Sequence, residues 1–275
     1  MVMNNYWKKY KGALICKSSP YIEIKEGVNM IRKMIIQHNV LFARWTSNFD
    51  CKEKTDFWFI IKEKFEGLEE LSYNTRKSIR KGLKLVDIRM ITREEFLLQG
   101  YEVYFAAFKR YINYSNPMSE KRFNEHIQSL EFDWDFWGVF DKTGKLVGYS
   151  QNKIYEDYCN YSITKFHPNF LKLRVSDVLF YKMTDYYLNS NKLRCVSGGT
   201  RTLFHKTNIQ REYVRKFKFR KAYCQLHVEY HPVFKILIII LYPFKILFAK
   251  INNRFFFQLS ALLKQEEIVR NNKYI

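Results

Sequence analysis

The sequence predicts an α/β fold of the α+β kind, a mixed central sheet flanked by helices, and three observations predict it. From Phe136 onward apolar residues stop recurring at helical spacing and alternate, and helical spacing returns only between later strands. The resulting order is strand, hairpin, strand, strand, helix, strand, helix, strand; helices between strands are crossovers, so parallel pairs must sit beside the antiparallel hairpin. Finally, 47% hydrophobic and 27% charged residues, with ten glycines and five prolines in 275 residues, describe a globular chain with few flexible linkers.

The chain reads as three stretches: 1–90, an N-terminal α/β half ending in a basic helix; 91–231, the domain carrying the mixed sheet; and 232–275, an amphipathic helical tail. Residues 1–20 carry no clear signal. Within 21–70, "VLFARWT" and "DFWFIIK" read as strands, with a helix around Gly27 to Gln37. "LSYNTRKSIRKGLKLVDIRMI" reads as a helix capped by Ser72, with Leu68, Ile79, Leu83 and Val86 on one side and Arg76, Lys77, Arg80, Lys81 and Lys84 on the other. Five cations with no acid among them suit a phosphate-bearing partner; a solvated face opposite a core stripe is the other reading. Thr92 and Glu95 stand at capping-box spacing before a long apolar helix, and another helix follows Ser119. "DFWGVFDKTGKLVGYSQNKIY" is a hairpin turning at Lys142 to Gly144, and "YCNYSITKF" is a further strand. Then come a helix with Ser176 as its cap, the strand "KLRCVSGG", the helix "TNIQREYVRKF" and the strand "AYCQLHVEY".

Forty-seven Lys and Arg against 27 Asp and Glu leave a charge of +20, which attracts nucleic acid, anionic bilayers or phosphorylated ligands. The five cysteines are scattered and include no CxxC pair, which argues against a disulfide framework and a zinc knuckle. No metal site is expected. The first twenty residues offer an apolar run of only four, Ala13 to Cys16, so a secretory signal is not expected and the cytoplasm is the expected compartment.

Joined to particular residues, the element order resembles that of the GNAT acyltransferases, and within them the FemAB-like branch. "YSITKFHPNFLKLRVSDVLFYKMTDYYL" is similar to the family's strand and acyl-CoA-binding helix, and "HKTNIQREYVRKFKFRKAY" to its late helix and final strand. "TDFWFIIK" and "LSYNTRKSIRKGLK" are similar to the segment preceding that sheet in FemAB-like proteins, so the resemblance implies a degenerate GNAT-like N-terminal half. The family's glycine-bearing phosphate loop is absent from "LKLRVSD", Lys218-Phe219 replaces its "GF", and Val214 stands where many members carry a catalytic tyrosine.

The resemblance implies acyl transfer to an amine, which needs positioning, a proton route and donors for the carbonyl oxygen. Acetyl-CoA or another acyl-CoA would serve as co-substrate, with Lys172, Arg174 and Ser176 at a helix N-terminus toward its pyrophosphate and Asn208 supporting the cofactor side. The string "SGGTRTLFHKTNIQ" would then line the crevice at the strand's carboxyl end. His205 becomes the candidate general base, Tyr213 a substitute for the missing tyrosine, and Arg201 with Thr200 the substrate contacts. The competing account is that His205, Thr207 and Asn208 cap and satisfy an ordinary loop.

Three functions stay open. The first is an N-acetyltransferase acting on an amine-bearing cell-envelope sugar or precursor. The second is FemAB-like aminoacyl transfer from aminoacyl-tRNA to a peptidoglycan-type precursor. The third is a non-catalytic basic module recruited to a membrane or to nucleic acid. In the tail, only nine residues between Lys235 and Lys245 are uninterrupted apolar and Pro243 interrupts them, too short a run for a ~30 Å bilayer. A core helix is one account; an element lying on an anionic membrane surface, peripheral to the inner face, is the other.

Overall fold

The computed structural model describes residues 6–110, 116–203, 208–251 and 253–272. They fall into two compact units, one of residues 1–59, 200–207 and 221–275, the other of residues 60–199 and 208–220.

The first unit contains β1 (Trp7–Tyr10), β2 (Ala13–Cys16), α1 (Val28–Gln37), β3 (Phe42–Cys51) and most of β10 (Arg220–Tyr230). Its strand order is β1-β2-β3-β10. β1 and β2 form an antiparallel hairpin, β2 runs parallel to β3, and β3 is antiparallel to β10 with Ala43 opposite Glu229. Strand β10 buries Ala222, Cys224 and Leu226 at a spacing of two, as its alternation requires. The N-terminal hairpin carries no sequence signal because only Trp7 of β1 turns inward.

Among the described residues three helices follow β10: α7 (Pro232–Leu241), α8 (Lys245–Lys250) and α9 (Arg254–Asn271). A break at Pro243 is expected from sequence, but a 3₁₀ turn, Tyr242–Phe244, places Pro243 in its first turn, where no donor is needed, and the backbone stays helical. Pro232–Lys250 is thereby a 19-residue helix, which by length and composition alone is enough to cross a membrane; 6% of it is buried. The nine-residue limit read from the sequence is corrected accordingly.

β4 (Phe57–Lys62) carries the chain into the second unit, where α2 (Tyr73–Leu85), β5 (Asp87–Ile91), α3 (Arg93–Phe108), α4 (Glu120–Gln128), β6 (Trp134–Phe140), β7 (Leu146–Ile154) and β8 (Tyr158–Phe166) follow. A 3₁₀ turn (Pro168–Leu173), α5 (Val175–Asp185) with a π-helical last turn (Tyr186–Ser190), β9 (Cys195–Thr200) and α6 (Ile209–Phe217) complete it. The strands run β9-β8-β7-β6-β5, with β5 to β8 antiparallel and β8 parallel to β9. This is the mixed sheet with crossover helices that the periodicity predicts.

Ser72, Thr92 and Ser119 each accept a backbone N–H in the first turn of α2, α3 and α4, satisfying donors that the helix cannot. Three positions differ from expectation. Leu68 is not on the face of α2: it lies in a turn before the Ser72 cap, its carbonyl accepting from Leu71 N. Val86 is not on the face of α2: its backbone is extended (φ −136°, ψ 157°), and β5 begins after it to pair with β6. Ser176 is not the cap of α5: the preceding 3₁₀ turn passes into the helix through Arg174, held left-handed at φ 64°, so Ser176 lies inside the first turn. One face of the sheet packs Phe136 and Tyr149 against Phe96 and Phe123 of α3 and α4.

Candidate functional site

Strands β8 and β9 are paired only at Tyr158↔Cys195, Cys159↔Val196 and Asn160↔Ser197, and the register stops six residues before β8 ends at Phe166. Beyond that point aromatic rings occupy the face: Tyr213 lies 4.7 Å from Phe180, 5.0 Å from Phe219 and 6.1 Å from Tyr161, centroid to centroid. The two glycines of "SGGT" have different tasks. A Cβ on Gly198 would fall 2.5 Å from the Tyr213 ring, so its absence admits that ring, whereas Gly199 supplies a backbone at φ +87°. Tyr213 is 2% exposed; burial pushes its phenol well above the usual range, against the pull of the Thr164 hydroxyl.

From Thr164 polar groups continue across the sheet. Ser150 Oγ is 3.2 Å from Thr164 Oγ1 and donates to Asn152 Oδ1 at 2.6 Å. Asn152 Nδ2 donates to Tyr187 Oη at 3.2 Å, and Tyr187 donates to Asp135 Oδ2 at 2.8 Å while accepting from Trp137 Nε1. Burial pushes the Asp135 carboxyl above its usual range, against the pull of the Tyr187 hydrogen bond. The thread ends beside a shallow groove lined by Thr92, Glu94, Phe132 and Trp134. Because an amide sits in its middle, it orients hydroxyls and does not conduct protons freely.

The start of α5 is equally specific. Asp177, 4% exposed and in the first turn, accepts from Ser78 Oγ at 2.6 Å and from Lys216 Nζ at 2.8 Å. A carboxylate there is favoured by the helix dipole and by its charge-assisted partner. α2 lies directly on this turn: a Cβ on Gly82 would come 2.5 Å from Val178 Cγ1 and 3.1 Å from Arg174 Cβ. Lys172 and Arg174 are exposed, Ser176 is half-buried, and among the described residues neither cation meets an acid. On the outer side of α2, Lys77, Lys81 and Lys84 are exposed, whereas Glu69 answers Arg76 at 3.2 Å and Arg80 at 3.9 Å. The basic run of α2 is thus partly paired, and α2 itself rests on the start of α5 at Gly82.

The other expected site residues are placed as follows. Asn208 precedes α6 with its side chain exposed and making no cap bond, while its carbonyl accepts from Glu212 N at 3.0 Å. Thr200 ends β9 and, with Arg201, belongs to the first unit. There the Arg201 guanidinium is paired with Asp56 Oδ1 at 2.9 Å and also donates to the Asp56 carbonyl, so its charge is answered within its own unit. Hydrogen bonds from Asn271 and Arg201 hold the Asp56 carboxyl below its usual range. His205 and Thr207 lie outside the described residues. Asp177, Lys216 and Asp135 escape a sequence reading because their partners are distant in the chain; an acid directly after Ser176, at the start of a helix, is the signal that could have found the first.

The profile of the GNAT acetyltransferase domain matches residues 70–207, half of the chain, and the chain belongs to that family. It is an acyltransferase of the GNAT type, which removes the non-catalytic module from consideration. Its fold is shared with the C-terminal domain of a putative lysylphosphatidylglycerol synthetase from Agrobacterium fabrum (TM-score 0.54, 9% identity, 85% of this chain and 82% of that one). L-PGS from Bacillus licheniformis (0.50, 11%, 86% and 84%) and FemX (0.50, 10%, 73% and 68%) share it too. At these identities the likeness is one of fold, and it includes the FemAB-like branch. No curated protein matches the chain.

The family implies acyl-CoA, whose diphosphate would be received at the start of α5. The residues there do not fit it: the first turn already holds a buried carboxylate with its own cation, no glycine opens the loop, and α2 packs against the turn.

Proposed function

We propose that this GNAT-type enzyme transfers an aminoacyl group from a tRNA-borne ester to an amine of a cell-envelope precursor on the cytoplasmic side of the membrane. The observation carrying this reading is the start of α5, where Asp177 takes the anion seat and Lys172 and Arg174 are exposed, together with α2, which packs on that turn at Gly82 and exposes Lys77, Lys81 and Lys84. A small diphosphate gains little from such a surface; a polyanion gains from each cation through counterion release. In the reaction the amine attacks the ester carbonyl, the C–N bond forms, the C–O bond breaks, and the amine's proton ends on the departing ribose oxygen. His205 is proposed as the base that carries it and Tyr213 as a hydroxyl held in place by the Thr164 thread. The C-terminal domain of the putative lysylphosphatidylglycerol synthetase from Agrobacterium fabrum shares the fold, which supports an envelope acceptor.

The family match favours a second reading, N-acetylation with acetyl-CoA, in which Lys172 and Arg174 would hold the diphosphate outside the turn. Calorimetry with deacylated tRNA, acetyl-CoA and desulfo-CoA at two salt concentrations separates the two. tRNA binding that weakens steeply with salt, with a log–log slope reduced by roughly 2–3 in the triple variant Lys77→Gln, Lys81→Gln, Lys84→Gln, is the expected result. Saturable acetyl-CoA binding weakened by Arg174→Ala, with no tRNA binding, would overturn it.

A further inference from the structure

The C-terminal helices of the first unit have two faces with different occupants. Phe234, Ile238, Leu241, Tyr242 and Phe248 recur at helical spacing and pack on Phe42, Tyr230, Leu259 and Leu263. On the opposite side Val233, Ile236, Ile240, Phe244, Leu247 and Ile251 recur with spacings of three and four and are 72%, 60%, 58%, 49%, 60% and 44% exposed. Leu41, whose carbonyl accepts from His231 N just before α7, is itself 46% exposed. A continuous row of this kind is far more apolar surface than scattered exposed side chains explain.

Charge decides what covers it. From His231 to Lys264 the chain has five Lys and Arg and no Asp or Glu. Lys245 is paired with Glu267 at 2.6 Å, but Lys235, Lys250 and Arg254 are exposed, and among the described residues no acid meets them. A second copy of the same surface would bring like charges together. A spanning helix would have to give up the packed face and the Lys245–Glu267 pair. An anionic bilayer answers both features at once, acyl chains meeting the apolar row and headgroups meeting the cations.

We infer that Pro232–Lys250 lies flat in the headgroup boundary of an anionic membrane, a peripheral lipid-docking surface built on the first unit. It does not rest on the donor or acceptor of the proposed reaction. The test is cosedimentation of the full chain with sucrose-loaded vesicles of phosphatidylcholine alone and of phosphatidylcholine with 30% phosphatidylglycerol, alongside light scattering without lipid. The wild type should bind the anionic vesicles, and salt should weaken that binding. Ile236→Glu with Ile240→Glu should reduce binding at least tenfold, and Lys235→Gln, Lys250→Gln and Arg254→Gln together by roughly a hundredfold at about 1 kcal/mol per cation. Unchanged urea midpoints would show that both variants fold. Binding to neither vesicle type, equal binding to both types, dimers dissolved by Ile236→Glu, or protein that resists alkaline carbonate extraction would each overturn the inference.

Discussion

Replacing Gly82 with alanine should destabilise a helix that alanine ordinarily favours. In an open helix interior the exchange is worth about 1 kcal/mol in favour of alanine. Here the new methyl would meet Val178 Cγ1 at 2.5 Å, Arg174 Cβ at 3.1 Å and the Leu173 carbonyl oxygen at 3.2 Å, so both a core side chain and backbone resist it. Overpacking of this kind costs typically 1–3 kcal/mol; with backbone resisting as well, the upper part of that range, about 2–3 kcal/mol, applies and leaves a net loss of about 1–2 kcal/mol. With a urea m-value of about 2 kcal/mol/M the midpoint of the second unit should fall by roughly 0.5–1 M. Circular dichroism measures that midpoint, and hydrogen exchange across α2 reports whether the helix has lifted from α5. Val178→Ala removes the closest atom, so the double variant should lose less than the two single losses added together. A Gly82→Ala protein as stable as the wild type, or more so, would refute the packing argument and with it the claim that α2 is fixed on the start of α5.

Two further outcomes follow from neighbouring features. Lys216→Met leaves the Asp177 carboxylate buried with Ser78 as its remaining partner, and should cost about 2–4 kcal/mol, below the full value for a buried pair because Lys216 is itself partly exposed; adding Asp177→Asn should recover part of the loss, and a midpoint unchanged by Lys216→Met would contradict the ion pair. His227 is held below its usual range by burial, with Nε2 2.6 Å from Ser47 Oγ and its ring stacked on Trp45, so the unfolded chain takes up a proton near pH 6.5 that the folded protein refuses. Stability should therefore decline as pH drops from about 6.5 toward the depressed folded value, His227→Gln should flatten that decline, and an unaltered acid slope in the variant would assign the effect to another group such as His167.

Much of the fold is legible in the sequence, because its signals are local. Ser72, Thr92 and Ser119 stand before helical spacing, Lys142 to Gly144 punctuates two alternating runs, and Ala222, Cys224 and Leu226 mark one face of a strand. Where a local pattern is degenerate the reading slips: Val86 continues the apolar spacing of α2, yet pairing of β5 with β6 ends the helix at Leu85. The site is less legible because its chemistry is assembled from afar. Asp177 meets Ser78 and Lys216 at separations of 99 and 39 residues, and Glu69 folds back on Arg76 and Arg80. No spacing rule announces such pairs. The outward cations of α2 are legible as a surface, since nothing beyond helical periodicity is needed to place them.

The first unit is drawn from both ends of the chain, and this orders events during synthesis. β3 finds β10 only after some 180 residues more have been made, at about 5–20 residues per second a wait on the order of 10–40 s. The second unit, almost one uninterrupted stretch, can fold during that wait. Until Tyr223 to Tyr230 arrive, the β3 backbone that will accept them stays an open edge. A chain truncated before Tyr223 would therefore present the second unit joined to an unpaired, aggregation-prone strand, a product that quality control has reason to remove.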